Sequence, residues 1–395
     1  MTSDKRLSAR GIAAATVLVL GSVALTLGAA EFALRLAMPV GYFIWKPHMS
    51  RTFVPAPEVM PGVSGESKFR TNSQGLRADE PPAQNVHRIL TLGGSTTECL
   101  YLDQSEAWPQ VMQDTLNAGT NTPRVWVGNG GMSGRNTRHH VLAMRHLPLR
   151  EMKIDTVIVL SGINDLSIRL SQGDAYDPDT LSKPQAERRL LAETFLGLHR
   201  ADPDAAWFRR MVLWQLMRGL KARWSDATPA RGAQDDAGAV YDQWRRHRQQ
   251  AGTILRQLPD MRPGLAEYER NLREVAALAR AQSVRLVLVT QPTLWRPGLT
   301  PDLDRLLWFG GVGDFQVRPG QPYYSVEALA DAMRQYNDTL LRTCAAEKLD
   351  CIDLSSLPQD TSVFYDDVHF NEAGSRRVAR IVAEHLGARP PLAPR

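Results

Sequence analysis

The sequence lacks the features of a nucleic-acid-binding protein. Its 47 arginine and lysine residues are scattered among 42 aspartate and glutamate residues, and the net charge is only +5. Nucleic-acid-binding surfaces concentrate basic residues on one face or stripe, so we expect no nucleic-acid partner. Internal repeats and low-complexity tracts are absent from the sequence as well. A length of 395 residues therefore indicates one large domain, or one domain with insertions.

Charge is missing altogether from residues 11–30. A predominantly apolar run of about 20 residues is long enough to cross a bilayer as a helix. Lys5, Arg6 and Arg10 precede the run, and basic residues on that side favour a cytoplasmic N-terminus. We therefore predict that residues 1–38 form a cytoplasmic stub and a single-pass anchor in the inner (cell) membrane. The rest of the chain would then be periplasmic or extracellular.

A cleaved signal peptide is the alternative interpretation of this N-terminal run. Leu27–Ala30 offers the small residues that a cleavage site needs. We favour the anchor because the run is long for a signal peptide and Glu31–Ala37 continues the helical pattern without a break. Both interpretations export the remainder of the chain.

The central feature of the sequence is a glycine-rich turn within Arg88–Glu98. Ile89–Leu92 is a short apolar run typical of a buried strand, and Gly93 and Gly94 allow a sharp turn before Ser95. The carboxyl end of a central strand is where open α/β sheets bind their ligands. The turn lacks the lysine of a phosphate-binding loop. It also lacks the second glycine of the Gly-x-Ser-x-Gly elbow of α/β-hydrolases.

Three further motifs follow predicted strands. They are Asn129–Gly134, Gly162–Asp165 and Phe364–Gly374. Serine, glycine, asparagine and an Asp-x-x-His pair, in this order, resemble the SGNH (GDSL-like) hydrolase family over residues 88–165 and 350–387. The resemblance implies an α/β protein with a flavodoxin-like three-layer α/β/α fold, whose five-stranded parallel sheet has the order 2-1-3-4-5.

The resemblance also implies a catalytic triad. Ser95 would be the nucleophile, His369 its general base and Asp366 the carboxylate that orients the imidazole, because a serine hydroxyl attacks only when a positioned base takes its proton. Asp367 is the alternative orienting residue. The sequence departs from the family at Gly94, where the namesake aspartate would precede the serine.

Acyl transfer needs hydrogen-bond donors at the oxyanion as well. By the same resemblance, these donors are the backbone N–H groups of Ser95 and Gly134 and the side-chain amide of Asn164. Glycine suits position 134 because the backbone must come close to the substrate there.

The sequence also contains potential metal ligands and cysteines. The Asp366–His369 segment has potential metal ligands, but no second cluster with ligand spacing accompanies it, so we predict neither a metal nor a cofactor. The chain has three cysteines. Cys344 and Cys351 lie close enough in sequence for a disulfide, which would leave Cys99 as a buried apolar residue.

The predicted organisation consists of an extended lead-in (39–87), a hydrolase domain (88–387) with insertions at 166–264 and 291–324, and a disordered tail (388–395). The predicted strands are 88–92, 124–128, 155–160, 284–290 and 350–353. The predicted helices are 108–118, 137–147, 265–282, 326–347 and 373–387. Strands that alternate with helical patterns favour a parallel sheet.

Three segments outside the minimal fold allow alternatives. We expect Lys68–Arg77 to be a solvated hairpin, although it could pack against the sheet edge or the cleft rim. Trp207–Trp224 is a basic amphipathic helix, which could lie on a membrane surface but more commonly packs over a core. Asp226–Ala239 is rich in alanine, glycine and aspartate and is predicted to be a mobile linker.

The second insertion begins at the carboxyl end of the fourth strand, so we expect it to overhang the cleft. Its Trp295 and Trp308 are candidate substrate-binding residues. The alternative is that these two tryptophans form the core of the insertion itself.

These features predict a membrane-anchored serine esterase that hydrolyses acyl esters, such as O-acetyl groups, of a carbohydrate or cell-wall polymer. A lipid esterase or thioesterase is the nearest alternative. An O-acetyltransferase acting on an exported polysaccharide would use the same triad. The alternative from another class is an inactive domain that binds glycan in a polysaccharide export or modification complex.

Overall fold

The protein is described here from a computed structural model, which covers residues 9–37, 41–83, 85–119, 124–196, 206–218 and 237–389. The chain divides into two compact units. The first unit comprises Met1–Gly41 and Gly197–Ala230, and the second comprises Tyr42–Leu196 and Arg231–Arg395.

The second unit is built on a five-stranded parallel sheet. Its strands are β1 (His87–Gly93), β2 (Val125–Gly131), β3 (Thr156–Leu160), β4 (Arg285–Val289) and β5 (Asp350–Ile352). Their spatial order is β2-β1-β3-β4-β5, which confirms the predicted order. All pairings are parallel, so the five carboxyl ends lie at one edge of the sheet. Ile89, Val157 and Val287 are fully buried, as expected for strands covered on both faces.

Helices flank this sheet. In the described part of the second unit the α-helices are α2 (Ser95–Glu98), α3 (Trp108–Asn117), α4 (Thr137–His146), α5 (Ile163–Gln172), α6 (Pro184–Thr194), α7 (Ala237–Gln249), α8 (Arg262–Ala281), α9 (Pro301–Asp304), α10 (Val326–Glu347) and α11 (Glu372–Gly387). The first unit contains α1 (Ala9–Ala37). α3 packs against α11, and α8 packs against both α4 and α10. The five predicted helices and the α/β class are therefore confirmed.

β2 extends beyond its predicted end at residue 128 as far as Gly131, which pairs with Gly93 of β1. The glycines after residue 128 signal a turn in the sequence, but in the structure they serve close packing. A Cβ atom at Gly131 would lie 2.3 Å from the backbone nitrogen of Glu98. Only glycine therefore allows α2 to approach the strand this closely.

The prediction of a solvated hairpin at Lys68–Arg77 is wrong. Two short antiparallel strands, Ser50–Phe53 and Ser67–Arg70, occupy the lead-in. Phe69 and Leu76 are fully buried, and Arg77 forms a backbone bridge with Asn129 of β2. Because β2 is the outer strand of the sheet, the segment packs against the sheet edge, which was the alternative interpretation.

The first insertion contains regular structure. Its strand Ile254–Leu255 pairs in parallel with Tyr323–Tyr324 of the second insertion. α7 begins at Ala237, so the prediction of a mobile linker is wrong where it overlaps α7, and residues 226–236 lie outside the described part of the chain. Of the helix predicted from residue 207, Trp207–Arg210 forms a 3₁₀ turn. Residues 212–218 are helical, and residues 219–224 lie outside the description.

The first and last described residues concern the predicted anchor and the predicted tail. Within α1, Ala13–Ala37 is long and apolar enough to cross a membrane, with a mean hydropathy of 2.0. By length and composition it could equally be a signal sequence. At the other end, Arg389 forms an ion pair with Asp350, and residues 390–395 lie outside the described residues.

The structure also contains the disulfide that the sequence allowed. It joins Cys344, near the end of α10, to Cys351 of β5. Cys99 is a buried free thiol.

Candidate active site

Ser95 lies at the carboxyl end of β1, as the first residue of the short helix α2. Close packing requires the two glycines before it. A Cβ atom at Gly93 would lie 2.1 Å from Thr97 Oγ1, and one at Gly94 would lie 2.2 Å from Asn164 Nδ2. Gly94 therefore leaves the space that Asn164 occupies beside the serine.

Three side chains form a hydrogen-bonded row. Ser95 Oγ lies 2.7 Å from His369 Nε2, and His369 Nδ1 lies 2.6 Å from Asp366 Oδ2. An ionised carboxylate can only accept hydrogen bonds, so Nδ1 donates to Asp366 and Nε2 accepts from the serine hydroxyl. This geometry allows an imidazole to take the proton of a serine hydroxyl.

Asp366 is fully buried, and both of its oxygens accept hydrogen bonds. Oδ1 accepts from the backbone N–H groups of Val368 at 2.9 Å and His369 at 2.8 Å. Oδ2 accepts from the indole N–H of Trp308 at 2.9 Å, in addition to the imidazole. These bonds hold the carboxylate and the imidazole in one arrangement.

Opposing effects determine the protonation of this pair. Burial favours the neutral imidazole, but the charge of Asp366 and its hydrogen bond outweigh burial and raise the pKa of His369. Burial also favours the neutral carboxyl group, but His369 and the backbone donors outweigh it and lower the pKa of Asp366. The site therefore combines an ionised carboxylate with an imidazole of increased basicity.

Asp367, the alternative orienting residue, has different partners. Its Oδ1 accepts from the indole N–H of Trp295 at 2.8 Å, and its Oδ2 accepts from the backbone N–H groups of Trp308 at 2.7 Å and Phe309 at 3.2 Å. Burial and the charge of Asp366 raise the pKa of Asp367 to about 6. Asp367 thus binds the second insertion, while Asp366 contacts the imidazole.

Gly134 and Asn164 line the same cavity as Ser95 and His369. Gly134 has φ of 77°, and a Cβ atom at this position would meet nothing within 4 Å. The amide nitrogen of Asn164 donates to the carbonyl of Arg135 at 2.8 Å and carries a second hydrogen. The structure therefore brings all the predicted oxyanion-hole residues to one cavity.

Glu98 was not among the predicted site residues, although it closes the Gly-Gly-Ser-Thr-Thr-Glu turn. Its Oε2 accepts from the backbone N–H of Ser133 at 2.6 Å and from the Ser133 hydroxyl. Burial raises the pKa of this carboxyl group. Arg77 donates to the carbonyls of Glu98 at 2.6 Å and Cys99 at 2.8 Å. Glu98 thereby ties the loop that precedes Gly134 to the helix that carries Ser95.

The cavity has a volume of about 280 Å³. Of the two tryptophans predicted to contact substrate, the structure brings only Trp308 to the cavity wall. Trp295 is 1% exposed and bonds to Asp367, as described above. The second insertion therefore contributes to the cavity through Trp308, Phe309 and Gln316.

The first insertion also lines the cavity, which sequence reasoning missed. Tyr241 and Trp244 of α7 are wall residues, and the ring centroids of Trp244 and Trp308 lie 4.6 Å apart. Two buried arginines, Arg245 and Arg248, donate to backbone carbonyls of the surrounding loops and hold α7 in place. The available signal was the three-residue spacing of Tyr241 and Trp244, which puts them on one helix face.

Comparison with known protein families supports the sequence resemblance. The model of the GDSL-like Lipase/Acylhydrolase family matches residues 91–257. The matched range contains Ser95, Gly134 and Asn164 but ends before Asp366 and His369, which the fold brings to the same site. No curated protein matches the chain.

Solved structures resemble the chain only distantly. Axe2, an acetylxylan esterase from Geobacillus stearothermophilus, is 14% identical, with 77% of this chain and 97% of that chain covered and a TM-score of 0.39. LAE5, an alpha/beta hydrolase enzyme from the metagenome of Lake Arreo, has the same identity and coverage and a TM-score of 0.38. A G-D-S-L family protein from Desulfitobacterium hafniense is 9% identical, with 76% of this chain and 99% of that chain covered and a TM-score of 0.37.

Likenesses at this level establish neither activity nor substrate. Residues 91–257 match the GDSL-like Lipase/Acylhydrolase family, and together with the fold this match supports an ester-hydrolysing enzyme.

Proposed function

We propose that the protein hydrolyses acyl esters through a Ser95–His369–Asp366 triad. The observation that carries this proposal is the row of hydrogen bonds at 2.7 and 2.6 Å, which opens into a cavity at the serine end. Ser95 would attack the acyl carbon while His369 takes the hydroxyl proton and later returns it to the leaving alcohol. Water would then release the acyl group from Ser95 by the same proton transfers.

The negative charge on the carbonyl oxygen would be stabilised by the N–H groups of Ser95 and Gly134 and by the Asn164 amide. Ser95 is the first residue of α2, and the first N–H groups of a helix have no partner within it. Each such donor is worth about 10²–10³ in turnover when it is aimed at the oxyanion.

The proposed substrate is a short acyl ester, such as an O-acetyl group, on a carbohydrate or cell-wall polymer. A cavity of about 280 Å³ lies at the lower end of the usual range for ligand sites, about 300–1,000 Å³, which favours an acetyl over a long acyl chain. Tyr101, Tyr241 and Trp244 provide flat aromatic surfaces at the cavity, which suit the apolar faces of sugar rings. A lipid esterase or thioesterase with long acyl substrates is therefore the less favoured alternative.

Transfer of an acetyl group to an exported polysaccharide is a second candidate. Its supporting observation is the aromatic wall of Trp244, Trp308 and Tyr365 beside the serine, which would limit access of water to an acyl-enzyme. Release of free acetate in the absence of a sugar acceptor, at the rate seen in its presence, would argue for hydrolysis. A rate that depends on added glycan would argue for transfer within a polysaccharide modification complex.

We further propose that α1 anchors the enzyme in the inner membrane, with a cytoplasmic N-terminus and a periplasmic or extracellular catalytic domain. The support is the length and apolarity of Ala13–Ala37 and the basic residues before it. The Cys344–Cys351 disulfide is consistent with an oxidising compartment outside the cytoplasm.

The test compares the purified full-length protein with its Ser95→Ala variant on p-nitrophenyl esters of increasing acyl length. We expect hydrolysis to be fastest for acetate and to be abolished by Ser95→Ala, with an unchanged melting temperature because only a hydroxyl is removed at a turn. Retention of full activity by the folded variant would refute the mechanism. A preference for long acyl chains would leave the mechanism standing but refute the proposed substrate.

A further inference from the structure

A part of the first insertion contacts the apolar helix α1 within the first unit. The carboxylate of Glu31 accepts hydrogen bonds from the backbone N–H groups of Val212 and Leu213, both at 3.0 Å. These two residues open the helical stretch 212–218, and the N–H groups of a first turn have no partner within their own helix. Glu31 thus caps a helix that lies 181 residues away in sequence.

Glu31 also marks the level at which the proposed anchor leaves the membrane. Residues 11–30 contain no charge, and about 20 helical residues span the roughly 30 Å hydrocarbon core. Glu31 is the first charged residue after this run. A carboxylate at such a level is costly unless it is hydrogen-bonded. Val212, Leu213 and Arg35, whose Nε lies 2.8 Å from Oε1, supply the bonds.

The residues around this cap have the composition of a membrane–water interface. Trp207 is 70% exposed, its ring contacts Phe208, and Phe208 in turn contacts Trp214. Arg209 and Arg210 are exposed beside these rings. Tryptophan is enriched where lipid headgroups meet water, and exposed arginines attract anionic lipids. The segment that Glu31 caps therefore offers both an interfacial tryptophan and basic residues for contact with lipid headgroups.

We propose that residues 206–218, the interfacial segment, lie in the extracytoplasmic headgroup layer and bind anionic phospholipid. The enzyme would then be tethered at two places along its chain, by α1 and by this segment. The inference rests on the proposed membrane anchoring but not on the proposed esterase activity.

The experiment uses the full-length protein in nanodiscs of phosphatidylcholine with and without phosphatidylglycerol. An environment-sensitive fluorophore is attached at Ala206→Cys, which leaves the aromatic and basic residues intact. The native cysteines do not interfere because two form a disulfide and Cys99 is buried. Leu18→Cys, within the uncharged run of α1, reports on the anchor. Val317→Cys, 75% exposed in the second unit, is a control for an exposed surface site.

We expect the label at position 206 to show blue-shifted emission and quenching by lipids that carry a spin label near the headgroup, more strongly with phosphatidylglycerol present. The double variant Arg209→Gln/Arg210→Gln should abolish the dependence on phosphatidylglycerol. Glu31→Ala should weaken the quenching at position 206 and leave the label at position 18 in the hydrocarbon core.

Three results would overturn the inference. A water-like emission at position 206, with position 18 quenched by deep probes, would refute the interfacial segment and leave the anchor intact. Shielding from water without quenching by lipid would mean that a protein covers the segment. An unquenched label at position 18 would remove the anchor itself, and the inference with it, whereas esterase activity would remain a separate question.

Discussion

The indole N–H of Trp308 donates to Oδ2 of Asp366 at 2.9 Å, the same oxygen that accepts the imidazole N–H of His369. The Trp308 ring also stacks on the imidazole, with centroids 6.3 Å apart and planes inclined by 10°, and it lines the cavity. Trp308, a residue of the second insertion, thus contacts both Asp366 and His369. It also lines the cavity where a substrate would bind.

Trp308→Phe should separate these two contacts, because phenylalanine keeps an aromatic face but cannot donate a hydrogen bond. A hydrogen bond to a charged group is worth about 1.5–3 kcal/mol, so we expect kcat on p-nitrophenyl acetate to fall by roughly tenfold or more, with little change in KM. Trp244→Phe, in the neighbouring wall residue, is the matched control and should retain kcat. Equal losses in both variants would mean that the bond to Asp366 contributes nothing specific.

The two adjacent aspartates should respond differently to amide substitution. Asp366→Asn replaces the acceptor of the imidazole N–H, so we expect kcat to fall by about 10³–10⁴-fold. Asp367→Asn removes one of two oxygens that accept the N–H groups of Trp295, Trp308 and Phe309, so its main effect should be a lower melting temperature. Kinetics and thermal unfolding of both variants test this ranking. The opposite ranking in kcat would mean that Asp367 orients the base.

Activity should rise with pH through the pKa of His369, because only the neutral imidazole accepts the serine proton. Burial alone would lower this pKa, but Asp366 raises it above the ordinary value of 6.5, so the acidic limb of kcat/KM should have its midpoint above pH 6.5. In Asp366→Asn the acidic limb should move to lower pH. The pH dependence of the rate at which an organophosphate modifies Ser95 would measure this shift in the weakly active variant. The control is His385→Asn, because His385 also contacts a carboxylate, that of Asp350. This variant should leave the acidic limb at its original pH.

Glu98 should act on turnover through the loop that carries Gly134. Glu98→Ala removes the acceptor of both Ser133 hydrogen bonds, so the N–H of Gly134, a proposed oxyanion donor, would no longer be held in position. We expect kcat to fall by up to about 10²-fold at nearly constant KM, since such donors act in the transition state. Glu98→Gln retains one acceptor oxygen and should recover part of the loss. A rise in KM without a change in kcat would contradict the positioning role.

Trp244 should limit the acyl chain length. Its ring lies 4.6 Å from that of Trp308, and removal of the indole would enlarge the cavity on that side. Trp244→Ala should therefore raise kcat/KM for butyrate and hexanoate esters relative to acetate, by about tenfold for each added methylene pair, at roughly 0.8 kcal/mol per buried CH₂. The measurement is the ratio between esters, so a general loss of activity does not affect it. An unchanged ratio would place the acyl group elsewhere in the cavity.

Local pattern determined the framework of this protein. The alternation of apolar runs with helical periodicity predicted the five strands and five helices of the α/β core, because such patterns depend on neighbours within a few residues. The glycine-rich turn predicted Ser95 at a strand end. Family resemblance supplied the strand order and the residues expected to lie near Ser95 in space.

Only the tertiary structure decided which side chains meet. Ser95 and His369 are 274 residues apart in sequence, and Asp366 and Asp367 are neighbours whose different partners depend on side-chain direction in a tight loop. The hydrogen bond from Trp308 to Asp366, the bond from Ser133 to Glu98 and the wall formed by α7 all join segments that carry no mutual signal in sequence. Burial then sets the protonation of these groups, because desolvation and nearby charge exist only once the chain has folded.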